Sequence, residues 1–320
     1  MEDNLFALHH QLADKTYKPD KYDLFYVKDP KLRPIHKAKV KDRVIFQAVF
    51  RVLYHIFDRK FIFDSYSCRF NKGTHLGVSR LAKFARSASQ NNHQTIYALK
   101  CDIKKFFYSV DHNILLDLIK TEIADTDALD LIEKIIGSFY SEPPHPRLRA
   151  DPFLVKERGD RGLPLGNVTS QLFANVYLNE LDQFVKHELK AKYYIRYCDD
   201  FIILHNDRKW LEEQVPKIND FSQNKLSLAL HPDKVSIKKY NQGIDFLGYI
   251  ILPHHIVLRM KTKQRMVRKL KQRQALLRAG AITRESFDQS LQSYLGVLKH
   301  CKGYNLGTKL MNEVWLNKGT

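Results

Sequence analysis

The sequence predicts an α+β fold, a strand-and-helix core followed by a basic, helical C-terminal region. Three observations predict it. β-Favouring runs, IYALKCDI at 96–103 and YYIRY and FIIL within 193–204, alternate with long helical patterns. The 320 residues, 44% hydrophobic and 12% aromatic, suffice to bury a large core. Basic residues crowd the C-terminal part: Pro253 to Gly280 holds nine lysines and arginines and no acid. The same composition excludes wholesale disorder. No run of about 18 apolar residues exists to span a membrane, and no signal-type apolar stretch follows Met1-Glu2-Asp3-Asn4, so a cytoplasmic chain is expected. The cysteines, at 68, 101, 198 and 301, form no C-x-x-C pair, which argues against a zinc ribbon or a thioredoxin-like site and for reduced thiols. Lysine plus arginine is 53 against 35 acids, a net +18 that asks for a polyanionic partner, nucleic acid ahead of an acidic membrane surface.

Taken in order, residues 1–30 read as helix and then loop, with Pro19 and Pro30 as breakers. Residues 31–43 are basic: Lys31, Arg33, Lys37, Lys39, Lys41 and Arg43 against Asp42 alone. Val44, Ala48, Val52 and Ile56, spaced by four, predict an amphipathic helix with those residues as its apolar stripe. An aromatic loop at 61–74 and a helix at 75–90 follow. A strand closes at Asp102, and the chain turns helical near Asp111. Residues 141–162, rich in proline and charge, read as a loop or small hairpin, and 166–190 as a long helix. YYIRY-CDD-FIIL is a hairpin signature. Residues 208–226 read as a helix. Residues 235–252 read as a second hairpin, with Asn241-Gln242-Gly243 near its turn, and 258–320 as basic helices.

Carboxylates carry the candidate chemistry. Asp199 and Asp200 sit at the tip of the first hairpin, either as ordinary turn formers or as two carboxylates presented rigidly to a divalent metal. Asp102 closes an apolar strand before an amphipathic helix, as an N-cap or as a third metal ligand. Two strand-borne carboxylate sites on a basic scaffold suit two-metal phosphoryl transfer. Mg²⁺ takes few protein oxygens and leaves the rest to substrate phosphates.

These segments resemble the motifs of reverse transcriptases. Asp102 in LKCDIKKFFYSVDH is similar to motif A, Tyr197-Cys198-Asp199-Asp200 to the Y-x-D-D of motif C, and Gly162-Leu163-Pro164-Leu165-Gly166 with NVTSQLFANVYLNELD to motif B. KLRPIHKAKVKDRVIFQA at 31–48 and SYSCRFNKGTH at 65–75 resemble the first two blocks of bacterial members. HPDKVSI at 231–237 resembles motif D and FLGYIIL at 246–252 motif E, the primer grip. Leu165 stands where most members carry Gln, and Ser170-Gln171 where they carry Ser-Pro. The pattern L-G-x-x-x-S-Q is similar to that of diversity-generating retroelement reverse transcriptases, with phage-defence lineages as the alternative. The 65–70 residues after motif E allow a helical thumb but no RNase H, integrase or endonuclease module. Retron-type enzymes are comparably short, but the wording of motif B argues against them.

The resemblance implies a bacterial, archaeal or phage polymerase with a right-hand fold and an antiparallel palm sheet. Fingers and an N-terminal extension would occupy 1–95 and the palm 96–252, with 112–162 partly a fingers insert. A helical thumb would occupy 253–320. It implies an RNA-directed DNA polymerase in which Asp102, Asp199, Asp200 and the Ile103 carbonyl hold two Mg²⁺, with Mn²⁺ able to substitute. Phe107 becomes the steric gate against ribonucleotides, with Phe106 as a core neighbour. Arg33, Arg43 and Arg69 become triphosphate or template contacts. Gly166 lets backbone approach the nucleotide, and Leu165 loosens base alignment, which implies error-prone copying of template adenines. Lys234 is the candidate general acid toward pyrophosphate, and Phe246, Gly248 and Tyr249 the primer grip. Lys261, Lys263, Arg265, Arg268 and Lys269 would follow the phosphates of an RNA–DNA hybrid, although the same charge could dock a structured cognate RNA or an accessory protein. The implied partners are an RNA template, deoxynucleotides, a structured RNA and a small basic accessory oligomer. A reading of another class is a catalytically idle RNA-binding scaffold.

Overall fold

The structure is a computed structural model, and it describes residues 2–28, 31–139 and 160–315. The expected loop or hairpin at 141–162 therefore lies almost wholly outside the described residues. The chain begins with helix α1 (Glu2–Ala13), strands β1 (Asp23–Lys28) and β2 (Leu32–Lys37), and helices α2 (Val40–Phe57) and α3 (Thr74–Ala88). Strand β3 (Tyr97–Asp102), the short α4 (Phe106–Ser109), α5 (His112–Lys120), α6 (Thr126–Gly137) and α7 (Val168–Gln183) follow. Then come β4 (Tyr193–Tyr197), β5 (Asp200–His205), α8 (Arg208–Leu226), β6 (Ser236–Lys239), β7 (Ile244–Phe246), β8 (Tyr249–Ile251) and β9 (Ile256–Leu258). Helices α9 (Met260–Arg278), α10 (Arg284–Leu298) and α11 (Tyr304–Trp315) complete the described chain. The predicted α+β class holds, with the order β4-β5-β3-β6 in a four-stranded sheet. The chain divides into two compact units. One is Met1–Asn71, Lys100–Phe201 and Glu212–Val235; the other is Lys72–Leu99, Ile202–Leu211 and Ser236–Thr320.

In the first unit β1 and β2 form an antiparallel hairpin, in register from Asp23↔Lys37 to Lys28↔Leu32. The sequence reading made residues 23–28 a loop. Every residue of β1 is exposed, so the strand lacks the buried-exposed alternation by which a strand is read. Helix α2 forms as expected but on another face. Ile45, Phe46, Phe50, Leu53, Tyr54 and Phe57 are buried, while Val44 and Val52 of the predicted stripe are 42% and 64% exposed. The aromatic face wins because it removes far more apolar area from water. Asp42 is buried with it, accepting from Tyr17 Oη at 2.8 Å and Asp20 N at 3.1 Å. Asp111 caps α5, its Oδ1 accepting from Asn113 N at 3.0 Å and Ile114 N at 3.3 Å. Helices α2 and α5 both pack on α7, whose residues from Leu172 to Leu178 are all buried.

In the second unit β7, β8 and β9 form an antiparallel sheet. Its first turn is Leu247-Gly248, not Asn241-Gln242-Gly243, which forms part of a 3₁₀ turn ahead of β7. Leu247 and Gly248 have φ of 51° and 88°, the paired left-handed residues that a two-residue hairpin loop demands. Helices α9, α10 and α11 share their own apolar cluster, in which Met266, Leu270, Phe287, Leu291, Leu298 and Leu310 are buried. Among the described residues no helix is long and apolar enough to cross a membrane.

Candidate active site

Strand β3 buries Ala98, Leu99 and Cys101 and leaves Asp102 half-buried at its end. Asp102 caps no helix, because α4 begins at Phe106, after Lys105 takes a left-handed φ of 48°. The Asp102 carbonyl accepts from His231 N at 2.8 Å, and Lys104 N donates to Ala229 O at 2.8 Å, on one side of the chain. On the other side Ile103 N donates to Asp199 O at 3.2 Å. In an extended residue the N–H and C=O point the same way, so the Ile103 carbonyl also faces Asp199.

Asp199 sits in the two-residue turn Cys198-Asp199 between β4 and β5. Cys198 has a φ of 55°, a conformation that costs a side-chain-bearing residue about 1–2 kcal/mol. A buried network holds this turn from behind. Arg196 on β4 gives Nε and Nη2 to the two oxygens of Asp182 at 2.8 and 2.6 Å, and neither side chain is exposed. Its Nη1 donates to the Cys198 carbonyl at 3.1 Å and to Asn175 Oδ1 at 3.2 Å. Tyr194 Oη donates to Asp182 Oδ1 at 2.6 Å. The sequence reading missed this network. Its signal was an arginine inside an apolar strand, with Asn175 and Asp182 two helical turns apart on one helix.

Burial, and then the negative charge of Asp102, hold the Asp199 carboxyl above the ordinary carboxylate range. Burial raises Asp200 to about 6, against the opposing pull of Lys100. Asp200 Oδ2 lies 3.1 Å from Lys100 Nζ, and its Oδ1 is buried without a hydrogen-bond partner. Among the described residues no three Asp, Glu, His or Cys side chains gather around one point. Of the expected trio, Asp199 feels the charge of Asp102, while Asp200 pairs with Lys100. Two mutually repelling carboxylates with a carbonyl beside them still fit Mg²⁺, which is held through one or two carboxylates plus substrate phosphates. Lys234 Nζ sits 2.5 Å from Asp102 Oδ1, on a 3₁₀ turn capped by His231.

The other candidates distribute unevenly. Phe106 is buried, whereas Phe107 is half-exposed and meets it edge-on, and the Phe107 carbonyl accepts from Leu163 N at 2.6 Å. Leu165 O accepts from His36 N at 2.9 Å, and Asn167 Nδ2 donates to His36 O at 3.1 Å, which ties the 162–167 loop to β2. Gly166 has a φ of 111°, and a Cβ there would stand 2.9 Å from Ile35 Cγ2. Its immediate constraint is therefore the hairpin, where a close approach to nucleotide was expected. Arg33 and Arg43 are exposed. Arg69 is not available as expected. Its guanidinium is buried, with Nε on Asp58 Oδ1 at 2.6 Å, Nη1 on Ile62 O at 2.7 Å and Nη2 on Asp58 O at 3.1 Å. It braces the aromatic loop.

In the second unit Phe246 is wholly buried in the core, the alternative that its sequence allowed beside the primer grip. Tyr249 is buried too and donates to Val297 O at 3.2 Å, which leaves Leu247-Gly248 as the presented part of the motif. On α9, Lys261, Lys263 and Arg268 are exposed, while Arg265 and Lys269 are half-buried. Lys263, Arg268 and Lys271 flank a shallow apolar groove of about 610 Å³.

His112, beneath the 162–167 loop, is buried and its Nε2–H donates to Gly162 O at 2.7 Å. Burial holds its pKa below the ordinary 6.5. A histidine lowered in the folded state contributes stability above its unfolded pKa, and that contribution is lost as pH falls below about 6.5. Stability is expected to decline on acidification through this range, and His112→Gln to flatten the decline in thermal melts from pH 7.5 to 5. An unchanged slope in the variant would exclude His112 as the source.

The family model "Reverse transcriptase (RNA-dependent DNA polymerase)" matches residues 19–251. The Group II intron-encoded protein LtrA of Lactococcus lactis subsp. cremoris is 26% identical over 318 residues, covering 78% of this chain and 50% of its own. Protein YkfC of Escherichia coli (strain K12) is 22% identical over 286 residues, covering 79% and 70%. The chain thus spans about half the length of the intron-encoded relative. Among solved structures, apo telomerase from Candida tropicalis, truncated from its C-terminal domain, aligns with a TM-score of 0.53 at 12% identity over 80% of this chain and 59% of that one. Telomerase from Candida albicans with a TWJ fragment of telomeric RNA gives 0.53 at 11% identity over 95% and 59%. At such identities the likeness speaks for the fold alone, and that fold is α+β with antiparallel sheets, as in right-hand polymerases.

Proposed function

The chain belongs to the reverse transcriptase (RNA-dependent DNA polymerase) family, and from that premise we propose that it copies an RNA template into DNA by adding deoxynucleotides to a primer 3′-hydroxyl. What carries the reading is the meeting of the β3 end with the β4–β5 turn, joined by the Ile103–Asp199 bond of 3.2 Å. Asp102, Asp199 and the Ile103 carbonyl would hold Mg²⁺, which supplies an activated 3′-hydroxyl and stabilises the leaving pyrophosphate. Asp200, paired with Lys100, steadies the turn. Lys234 Nζ stands ready to give a proton to the pyrophosphate oxygen. Phe107 excludes a 2′-hydroxyl, and Arg33 and Arg43 reach the triphosphate. Leu247-Gly248 and the basic residues of α9 take the primer and the hybrid backbone. Fingers, palm and thumb are assigned to 1–95, 96–252 and 253–320, in a chain working in the cytoplasm.

The finer role is mutagenic copying of a template-repeat RNA in a diversity-generating retroelement, with a structured RNA and a basic accessory oligomer as partners. Leu165 and Ser170-Gln171 support it. A leucine cannot hydrogen-bond to the templating region as a glutamine does, so base alignment is looser. The test is primer extension on an RNA template with Mg²⁺ and all four deoxynucleotides, followed by product sequencing. Errors concentrated opposite adenine, and reduced at least tenfold by Leu165→Gln, are expected. Accurate extension by both proteins would keep the polymerase and turn the assignment to a phage-defence lineage. Failure of the wild type on any RNA template would leave either a missing RNA or protein partner or the idle scaffold.

A further inference from the structure

One basic region of the second unit is left unused by this reading. Three loops converge there: 239–241 ahead of β7, 253–255 between β8 and β9, and 299–302 after α10. They are tied together by specific bonds. Lys302 N donates to Ile256 O at 2.7 Å, Tyr240 Oη to Leu252 O at 3.1 Å, and Asn92 Nδ2 to Pro253 O at 3.1 Å. Between them lie two cavities of about 390 and 140 Å³, both lined by Tyr240 and Pro253 and together termed the trough.

The lysines and arginine that line this trough give it one sign. Arg86, Lys299, Lys302, His254, His255 and His300 line the larger cavity. Lys239 and His93 line the smaller one, and no carboxylate lines either. Among the described residues Arg86, Lys239, Lys299 and Lys302 form no ion pair, whereas Lys39 and Lys41 sit on Asp23 and Asp20 at 2.6 and 3.0 Å. His300 is further fixed by stacking on His75 at 3.7 Å. Holding like charges side by side costs free energy unless a polyanion neutralises them. Thr95 and Asn241 add neutral donors and acceptors suited to 2′-hydroxyls. None of the α9 residues assigned to the template–primer hybrid lines the trough.

We propose that this trough binds the sugar–phosphate backbone of a folded RNA segment outside the template–primer duplex. The proposal rests on the polymerase reading only in taking RNA as the polyanion. Its test uses the full chain, the triple variant Arg86→Gln/Lys299→Gln/Lys302→Gln, and a stem-loop RNA with no primer annealed. The variant is expected to bind the stem-loop at least tenfold more weakly at about 0.15 M salt. The slope of log affinity against log salt should fall by about 2, three contacts at about 0.7 each. Extension of a pre-annealed primer–template at saturating concentration is expected to stay at the wild-type rate. The variant Lys299→Arg/Lys302→Arg, which keeps the charge, should bind like wild type and so separates loss of charge from loss of fold. Unchanged affinity and slope in the triple variant would overturn the proposal. So would an equal loss on the annealed duplex, which would assign the trough to the hybrid track. Wild-type binding to polyglutamate but not to the stem-loop would overturn it in favour of an acidic protein. Should the wild type bind the stem-loop yet extend nothing, the polymerase reading fails while the trough is still decided.

Discussion

Asp199→Asn is expected to abolish nucleotide addition while making the metal-free protein more stable. Losing several kcal/mol of charge stabilisation at the reacting phosphate, at about 1.4 kcal/mol per decade, lowers the rate about 10³-fold or more. Stability moves the other way, because the Asp199 carboxyl is buried against the charge of Asp102, which raises its pKa. Asparagine keeps the shape and removes the repulsion. The melting temperature in chelator should rise by about 2 °C. Wild type should recover that difference as Mg²⁺ is added, and the variant should not. Extension above a tenth of wild type, or a lowered melting temperature, would remove Asp199 from its proposed role.

Asp182→Asn is expected to be the most destabilising single change in the catalytic neighbourhood, although Asp182 lies on α7 and not on the strands that carry the candidate ligands. It leaves the Arg196 guanidinium wholly buried with no countercharge. Breaking one side of a buried pair costs about 3–5 kcal/mol, a fall in melting temperature of about 10 °C. Replacing both partners with apolar residues, Arg196→Met with Asp182→Leu, should recover most of that loss. Activity should not return with it, because the bond from Arg196 Nη1 to the Cys198 carbonyl, 3.1 Å in the wild type, restrains a turn whose first residue is left-handed. A double variant as active as wild type would show that the turn holds itself.

The parts of the site that can be read from the chain are local. Asp102 at a strand end and Cys198-Asp199 between two β-runs are fixed by neighbours in sequence, and the structure keeps them at the β3 end and in the β4–β5 turn. The parts that cannot be read depend on partners that only the folded backbone brings together. Arg69 looks like a free cation in a polar loop, yet Asp58, eleven residues earlier, takes its Nε and the loop carbonyls take the rest. Phe246 reads equally as primer grip or core until the β7–β8 register turns it into the core. The β1–β2 hairpin carries no burial pattern at all, so only its backbone pairing reveals it. On α2 two apolar stripes compete, and the one bearing the larger side chains prevails.

The contact of Gly166 with Ile35 and the bond from His36 N to Leu165 O make the hairpin and the Leu165 loop one mechanical piece. A shift of β2 becomes a shift of Leu165 main chain, with no side chain in between to absorb it. Ile35→Ala is therefore expected to loosen the Leu165 loop while leaving the candidate carboxylates where they are.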